Sequence, residues 1–157
     1  MSLALDLSLS YGCPRRGVPA RPSFHRWTIA ALSSVGARGR FELCVRIVDV
    51  QEGLALNRDF RGKAYATNVL SFPADLPSRR GPRLLGDIAL CAPVIAREAA
   101  DQGKSVIAHF AHLNIHGVLH LLGYDHQDES TASAMEAIEI RALATLRHAN
   151  PYEMSTP

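Results

Sequence analysis

His116-Gly117-Val118-Leu119-His120-Leu121-Leu122-Gly123-Tyr124-Asp125-His126 reads as the end of a helix followed by a turn back. His116 and His120 are four residues apart, which on an α-helix puts both imidazoles on one face, one turn apart. A helix continued to residue 126 would carry the third ring to another face and height. Gly123 stops it, standing where helices commonly end in a left-handed residue that glycine adopts without strain. The chain can then return and offer His126 to the point where the first two rings meet. Three converging neutral imidazoles suit one Zn²⁺, with Zn–N distances of about 2.0–2.1 Å. Three protein ligands leave a fourth position for water, the arrangement of a catalytic rather than a structural zinc.

Working outward, Ser105 can cap the helix that carries the first two histidines, over about 105–122. Before it, Pro93 opens a helix that Gly103 stops. After it, Asp128 or Ser130 caps a last helix over about 130–148, with Met135, Ile138 and Leu143 facing the core. Four segments read as strands: 3–9 by alternation, then Phe41–Val48, Val69–Phe72 and Leu85–Cys91 by β-rich composition. A helix is expected over about 22–34 and a short one over about 50–59, capped by Asp49. Three prolines and Arg79, Arg80 and Arg83 make the stretch between Pro73 and Leu84 a basic loop, a candidate track for an RNA backbone. Strands and helices without regular alternation imply an α+β fold, a small sheet packed against helices. The expected organisation is a single domain over 1–149, with 150–157 as a frayed tail.

Composition narrows the class. A chain of 157 residues, 47% hydrophobic and 20% charged, is ordinary for one soluble globular domain. A formal net charge of +2 gives no general attraction to nucleic acid, so an RNA surface must come from local clustering. Cys13, Cys44 and Cys91 are odd in number and lack Cys-x-x-Cys spacing, which argues against a disulfide framework and a zinc ribbon. Cys44 and Cys91 lie in apolar strand-like runs and are expected to be buried. No apolar stretch is long enough to span a membrane and no secretory signal pattern opens the chain, so the expected location is the cytoplasm.

The histidine spacing matches the metzincin protease pattern at His116, His120, Gly123 and His126, but the glutamate that serves such proteases as general base is replaced by Gly117. The whole run, in contrast, strongly resembles the signature of the YbeY family, bacterial zinc-dependent endoribonucleases of rRNA maturation. Leu56-Asn57-Arg58-Asp59-Phe60-Arg61-Gly62-Lys63, then Thr67-Asn68-Val69-Leu70-Ser71-Phe72-Pro73, look like that family's central motif, and Leu85-Gly86-Asp87-Ile88 like its next strand. The segments keep family order across about 52–140. One departure stands out: Asn68 replaces an aspartate usual in the family, keeping a hydrogen-bonding oxygen and losing the charge.

The resemblance implies a mixed four-stranded sheet with about five helices, one zinc ion on His116, His120 and His126, and a catalytic role for His116. It also implies single-strand-specific cleavage of RNA in maturation of the 16S rRNA 3′ end and in ribosome quality control. The implied partners are 16S rRNA or its precursor, the small ribosomal subunit and its assembly factors. It assigns Arg61 a catalytic or phosphate-binding role; residue chemistry alone would read a solvated arginine in a turn, although a guanidinium suits phosphate oxygens well. His112, one turn before His116, is expected to hydrogen-bond behind the metal site or face the surface rather than ligate. Asp125 is read as orienting an imidazole or bonding its own loop, and Asp87 as bracing a strand or acting in catalysis. Trp27 and Tyr65 are expected to pack in core and loop. No proton acceptor is identified. Two rival readings share the histidines: a metzincin-like metalloprotease, and a non-catalytic ribosome-assembly factor with structural zinc.

Overall fold

A computed structural model describes residues 2–74, 81–125 and 127–153. Nine elements follow in the order β1 (Leu3–Tyr11), α1 (Arg21–Ser34), β2 (Gly39–Val48), α2 (Val50–Arg61), β3 (Val69–Pro73), β4 (Arg83–Cys91), α3 (Ala92–Gln102), α4 (Val106–Leu121) and α5 (Glu129–Thr145). This is the expected α+β domain with four strands and five helices. The sheet order is β1-β2-β4-β3, with β1, β2 and β4 parallel and β3 antiparallel to β4 at one edge.

Local chemistry sets most boundaries. Asp49 accepts a hydrogen bond from the Glu52 amide at 2.8 Å, Ser105 from that of Ala108 at 3.0 Å, and Asp128 from that of Thr131 at 2.8 Å. Each satisfies an amide that the first turn of a helix leaves without an intrahelical partner. Gly62 and Gly103 end α2 and α3 in left-handed conformations, at φ 69° and 67°.

β2 shows how the sheet divides the molecule. Phe41, Leu43, Val45 and Ile47 are buried on one face, while Glu42, Cys44 and Arg46 alternate to the other. The first face packs under α1, α4 and α5 around Trp27, Phe24 and Phe110. Trp27 is thus core, as expected; Tyr65 is exposed. The second face is covered only in part, by α2, through a smaller cluster of Val48, Leu70, Ala89, Cys91 and Val94. Cys44 is therefore exposed, contrary to expectation: an apolar-looking strand still sends every second side chain to the opposite face. Cys91 is buried as expected.

Gly86 marks a tight approach. The ladder between β2 and β4 slips at Glu42/Leu43, and Gly86 sits at φ 137°. A Cβ there would lie 2.2 Å from the Phe72 carbonyl oxygen, which is backbone of the neighbouring strand. Gly86→Ala is expected to cost at least about 2 kcal/mol in urea denaturation, from backbone strain and overpacking together. An unchanged midpoint would contradict that account.

Residues 150–153 of the expected tail are described, and 154–157 lie outside the described residues. Lys104 Nζ donates to the Pro151 carbonyl at 2.8 Å, and the Tyr152 hydroxyl donates to Glu139. These bonds tie Pro151 to the turn before α4 and Tyr152 to α5. Among the described residues no helix is long and apolar enough to cross a membrane. Arg79 and Arg80 of the expected basic loop fall outside the described residues; Arg83 is exposed at the start of β4.

Candidate metal centre

α4 runs through the middle of the protein, packed against β3, β4, α1, α3 and α5. Surrounded in this way, it must be apolar on nearly every side. From His109 to Leu121 every residue is buried except His112, His116 and His120. Those three follow an i, i+4, i+8 line, a single strip along the helix. The only part of this stretch open to solvent is made of imidazoles.

Gly117 shows why the protease glutamate has no place here. It faces the sheet, where an added Cβ would lie 3.1 Å from Ile88 Cδ1 and 3.2 Å from Ser71 Oγ. The Ser71 hydroxyl donates to the Gly117 carbonyl at 3.2 Å. A side chain at this position would point into the layer between α4 and the strands, away from the histidine strip. Gly117 is a packing residue, and it brings His116 close to edge strand β3.

The two histidines meet as their spacing predicts. His116 Nε2 and His120 Nε2 are 3.0 Å apart, with the rings at 77°. Two nitrogens on one tetrahedral zinc would sit about 3.3 Å apart, given Zn–N bonds of about 2.0–2.1 Å. Two ring nitrogens this close, of the ligand type zinc prefers, fit that ion. Gly123 adopts the expected left-handed conformation, at φ 100°, and turns the chain after α4. His126, the expected third ligand, lies outside the described residues. Among the described residues no group of three or more metal-binding side chains comes together. Asp125, beside it, is exposed.

Behind the strip stands Glu139 of α5, with no exposed surface. Its carboxylate accepts from His116 Nδ1 and from the Tyr152 hydroxyl, and from His112 Nε2 at 3.2 Å. Burial by itself would push this carboxyl up. The hydrogen bonds from His112, His116 and the Tyr152 hydroxyl, with the electrostatic pull of the His116 ring, outweigh it and lower the group to about 2. Burial and the adjoining Glu139 carboxylate push the Tyr152 phenol up, so it stays a donor. His112 thus turns its Nε2 to Glu139.

Glu139 was not singled out by sequence reasoning, although a signal was available. Met135, Ile138, Ala142 and Leu143 form the buried face of α5, and Glu139 interrupts it. A carboxylate on an apolar helical face needs donors to meet it. Tyr152 carried no such signal.

The remaining candidates spread around the β3 edge. Arg61 is exposed in the last turn of α2 and makes no hydrogen bond or ion pair to another described residue. Its neighbour Phe60 packs edge-on against Phe72 of β3, with ring centroids 5.1 Å apart. Along β3 the side chains alternate, so Ser71 meets Gly117 of α4 on one face while Phe72 meets Phe60 on the other. Arg61 and His116 therefore approach the same edge strand from its two sides.

Asn68 braces the start of this strand. Its Oδ1 accepts from the Val69 amide at 2.7 Å and its Nδ2 donates to Glu98 Oε1 at 3.0 Å. The same Glu98 oxygen pairs with His109 Nε2 at 2.9 Å. An ionised aspartate could not donate to Glu98, so the asparagine serves here as a link between strand and helix. Burial lowers the His109 pKa, against the pull of Glu98. Asp87 is exposed on the far face of the sheet, opposite Phe72 and hydrogen-bonded with Cys44. It borders a groove of about 550 Å³ that Ser8, Ser10, Arg46 and Phe60 also line. The structure does not bring Asp87 to the histidine strip.

Comparison with known proteins follows the same lines. The family model described as Endoribonuclease YbeY matches residues 20–147. The chain is 55% identical to the Endoribonuclease YbeY of Stenotrophomonas maltophilia (strain R551-3), over 94% of this chain and 93% of that protein. It is 54% identical to that of Xanthomonas axonopodis pv. citri (strain 306), with the same coverage. The solution structure of TM1509 from Thermotoga maritima shares the fold, at a TM-score of 0.57 and 23% identity, over 97% of this chain and 98% of that one.

Proposed function

The chain belongs to the YbeY endoribonuclease family, and from that premise we propose that it is a zinc-dependent, single-strand-specific endoribonuclease. In this reading one Zn²⁺ is held by His116, His120 and His126, and the protein acts in the cytoplasm on the 3′ end of 16S rRNA or its precursor. It works there with the small ribosomal subunit and its assembly factors, in maturation and in ribosome quality control. The observation that carries the reading is the histidine strip: on the buried stretch of α4 only imidazoles reach solvent, and two of them bring their Nε2 atoms within 3.0 Å of each other.

A zinc ion held there supplies a Lewis acid and acidifies a water molecule. The protein's own residues do the rest. His120 and His116 present their Nε2 lone pairs, and the His116 ring is fixed from behind through Nδ1. Arg61 binds non-bridging phosphate oxygens with its planar fork and offsets charge that builds at phosphorus. Arg83, exposed at the start of β4, and the arginines before it attract the RNA backbone.

His120→Ala is the direct test. It is expected to lose both zinc, measured by elemental analysis, and cleavage of a defined single-stranded RNA. A folded His120→Ala protein with full metal content would refute the cage. Activity on casein but not on RNA would favour the protease reading, against which Gly117 already stands. A zinc-loaded protein that rescues rRNA processing and never cleaves RNA would favour the assembly-factor reading.

A further inference from the structure

We propose that Glu139 is the positioning residue of this centre: with Tyr152 as its latch, it locks His116 in the Nδ1–H tautomer and so keeps Nε2 a lone pair aimed at the metal. The inference deepens the zinc reading above and rests on His116 being a ligand.

The geometry supports each part. Glu139 is enclosed by three donor-bearing side chains, His112 and His116 from α4 and Tyr152 from the C-terminal segment. An ionised carboxylate only accepts, so against Glu139 in that form each neighbour donates. His116 donates through Nδ1, which leaves Nε2 unprotonated in the neutral ring. A carboxylate behind a ligating imidazole fixes ring orientation and raises ligand basicity. His112 bonds the same carboxylate oxygen as Tyr152, through Nε2, so that nitrogen is engaged with Glu139.

Tyr152 belongs to a segment that reaches across from the far end of α4. Lys104, just before α4 begins, holds the Pro151 carbonyl, and this sets the phenol over Glu139. The terminal segment after α5 is thus part of the metal centre's support.

The experiment uses zinc-loaded, full-length protein. Zinc affinity is measured by competition with a chelator, and the His116 Nδ1–H proton is followed by ¹⁵N-edited NMR. Glu139→Gln, which keeps the shape but presents an amide, is expected to weaken zinc binding about 10–100-fold. It should also move or abolish the downfield Nδ1–H resonance. Tyr152→Phe is expected to weaken zinc severalfold while that resonance persists. A folded Glu139→Gln protein with zinc affinity within twofold of wild type and the resonance in place would overturn the proposal. If Glu139→Gln does not fold, Tyr152→Phe decides: a severalfold loss supports the latch and an unchanged affinity overturns it. Neither readout uses RNA. A protein that shows this dependence on Glu139 but leaves RNA intact overturns the nuclease reading alone. One that cleaves RNA with zinc binding indifferent to Glu139 overturns this inference alone.

Discussion

Arg61→Ala will lower RNA cleavage by about 10²–10³-fold, the loss seen when one preorganised donor to a developing negative charge is removed, and will leave zinc content unchanged. Arg61 sits in the last turn of α2, just before the left-handed Gly62 that ends the helix. Nearby Arg58 is engaged with Asp59 at 3.2 Å, whereas Arg61 has no ion pair among the described residues. The Phe60–Phe72 contact anchors the end of α2, where Arg61 sits, to β3, the strand on which α4 rests. Arg61→Lys should recover only part of the rate, because an ammonium keeps the charge and loses the planar fork. Steady-state kinetics on a defined RNA separates two roles. If Arg61 acts in the transition state, kcat falls; if it only gathers RNA, KM rises at constant kcat. A full kcat in Arg61→Ala would remove Arg61 from the catalytic set.

Gly117→Glu will not create a protease; it will destabilise the fold by several kcal/mol. The substitution restores the missing letter of the metzincin pattern, so spacing alone suggests a gain of function. The structure gives the opposite expectation. The new side chain would leave α4 toward Ile88 and Ser71, each already within about van der Waals contact of a bare Cβ. It would bury a carboxylate with no donor arranged to receive it, and it would push α4 off the strands. A loss of that size is a large part of the roughly 5–15 kcal/mol that holds a domain together. Thermal melting should fall by about 10 °C or more, with no casein digestion. A soluble Gly117→Glu protein that melts with wild type would show that residue 117 does not face the sheet.

Gly117 also separates what can be read along the chain from what cannot. Set against a linear pattern, it is an absent base; set against β3 and β4, it is the residue that lets a helix lie close. Asn68 is similar. By composition it is a lost charge, and in the fold it is a donor to Glu98, thirty residues away in sequence. Cys44 was expected inside because its neighbours are apolar, and strand alternation against a half-covered sheet puts it outside.

The sequence by itself determined the caps at Asp49 and Ser105, narrowed the last to Asp128 or Ser130, and determined the stops at Gly103 and Gly123, the number and type of elements, and the meeting of His116 with His120. All of these are interactions within a few residues, where backbone geometry alone sets who can touch whom. Only the tertiary structure decided that α4 is enclosed on all sides but one, that Glu139 and Tyr152 close behind His116, and that Arg61 and the histidines border one edge strand. Those depend on which elements pack together, and packing joins residues whose separation along the chain carries no geometric information.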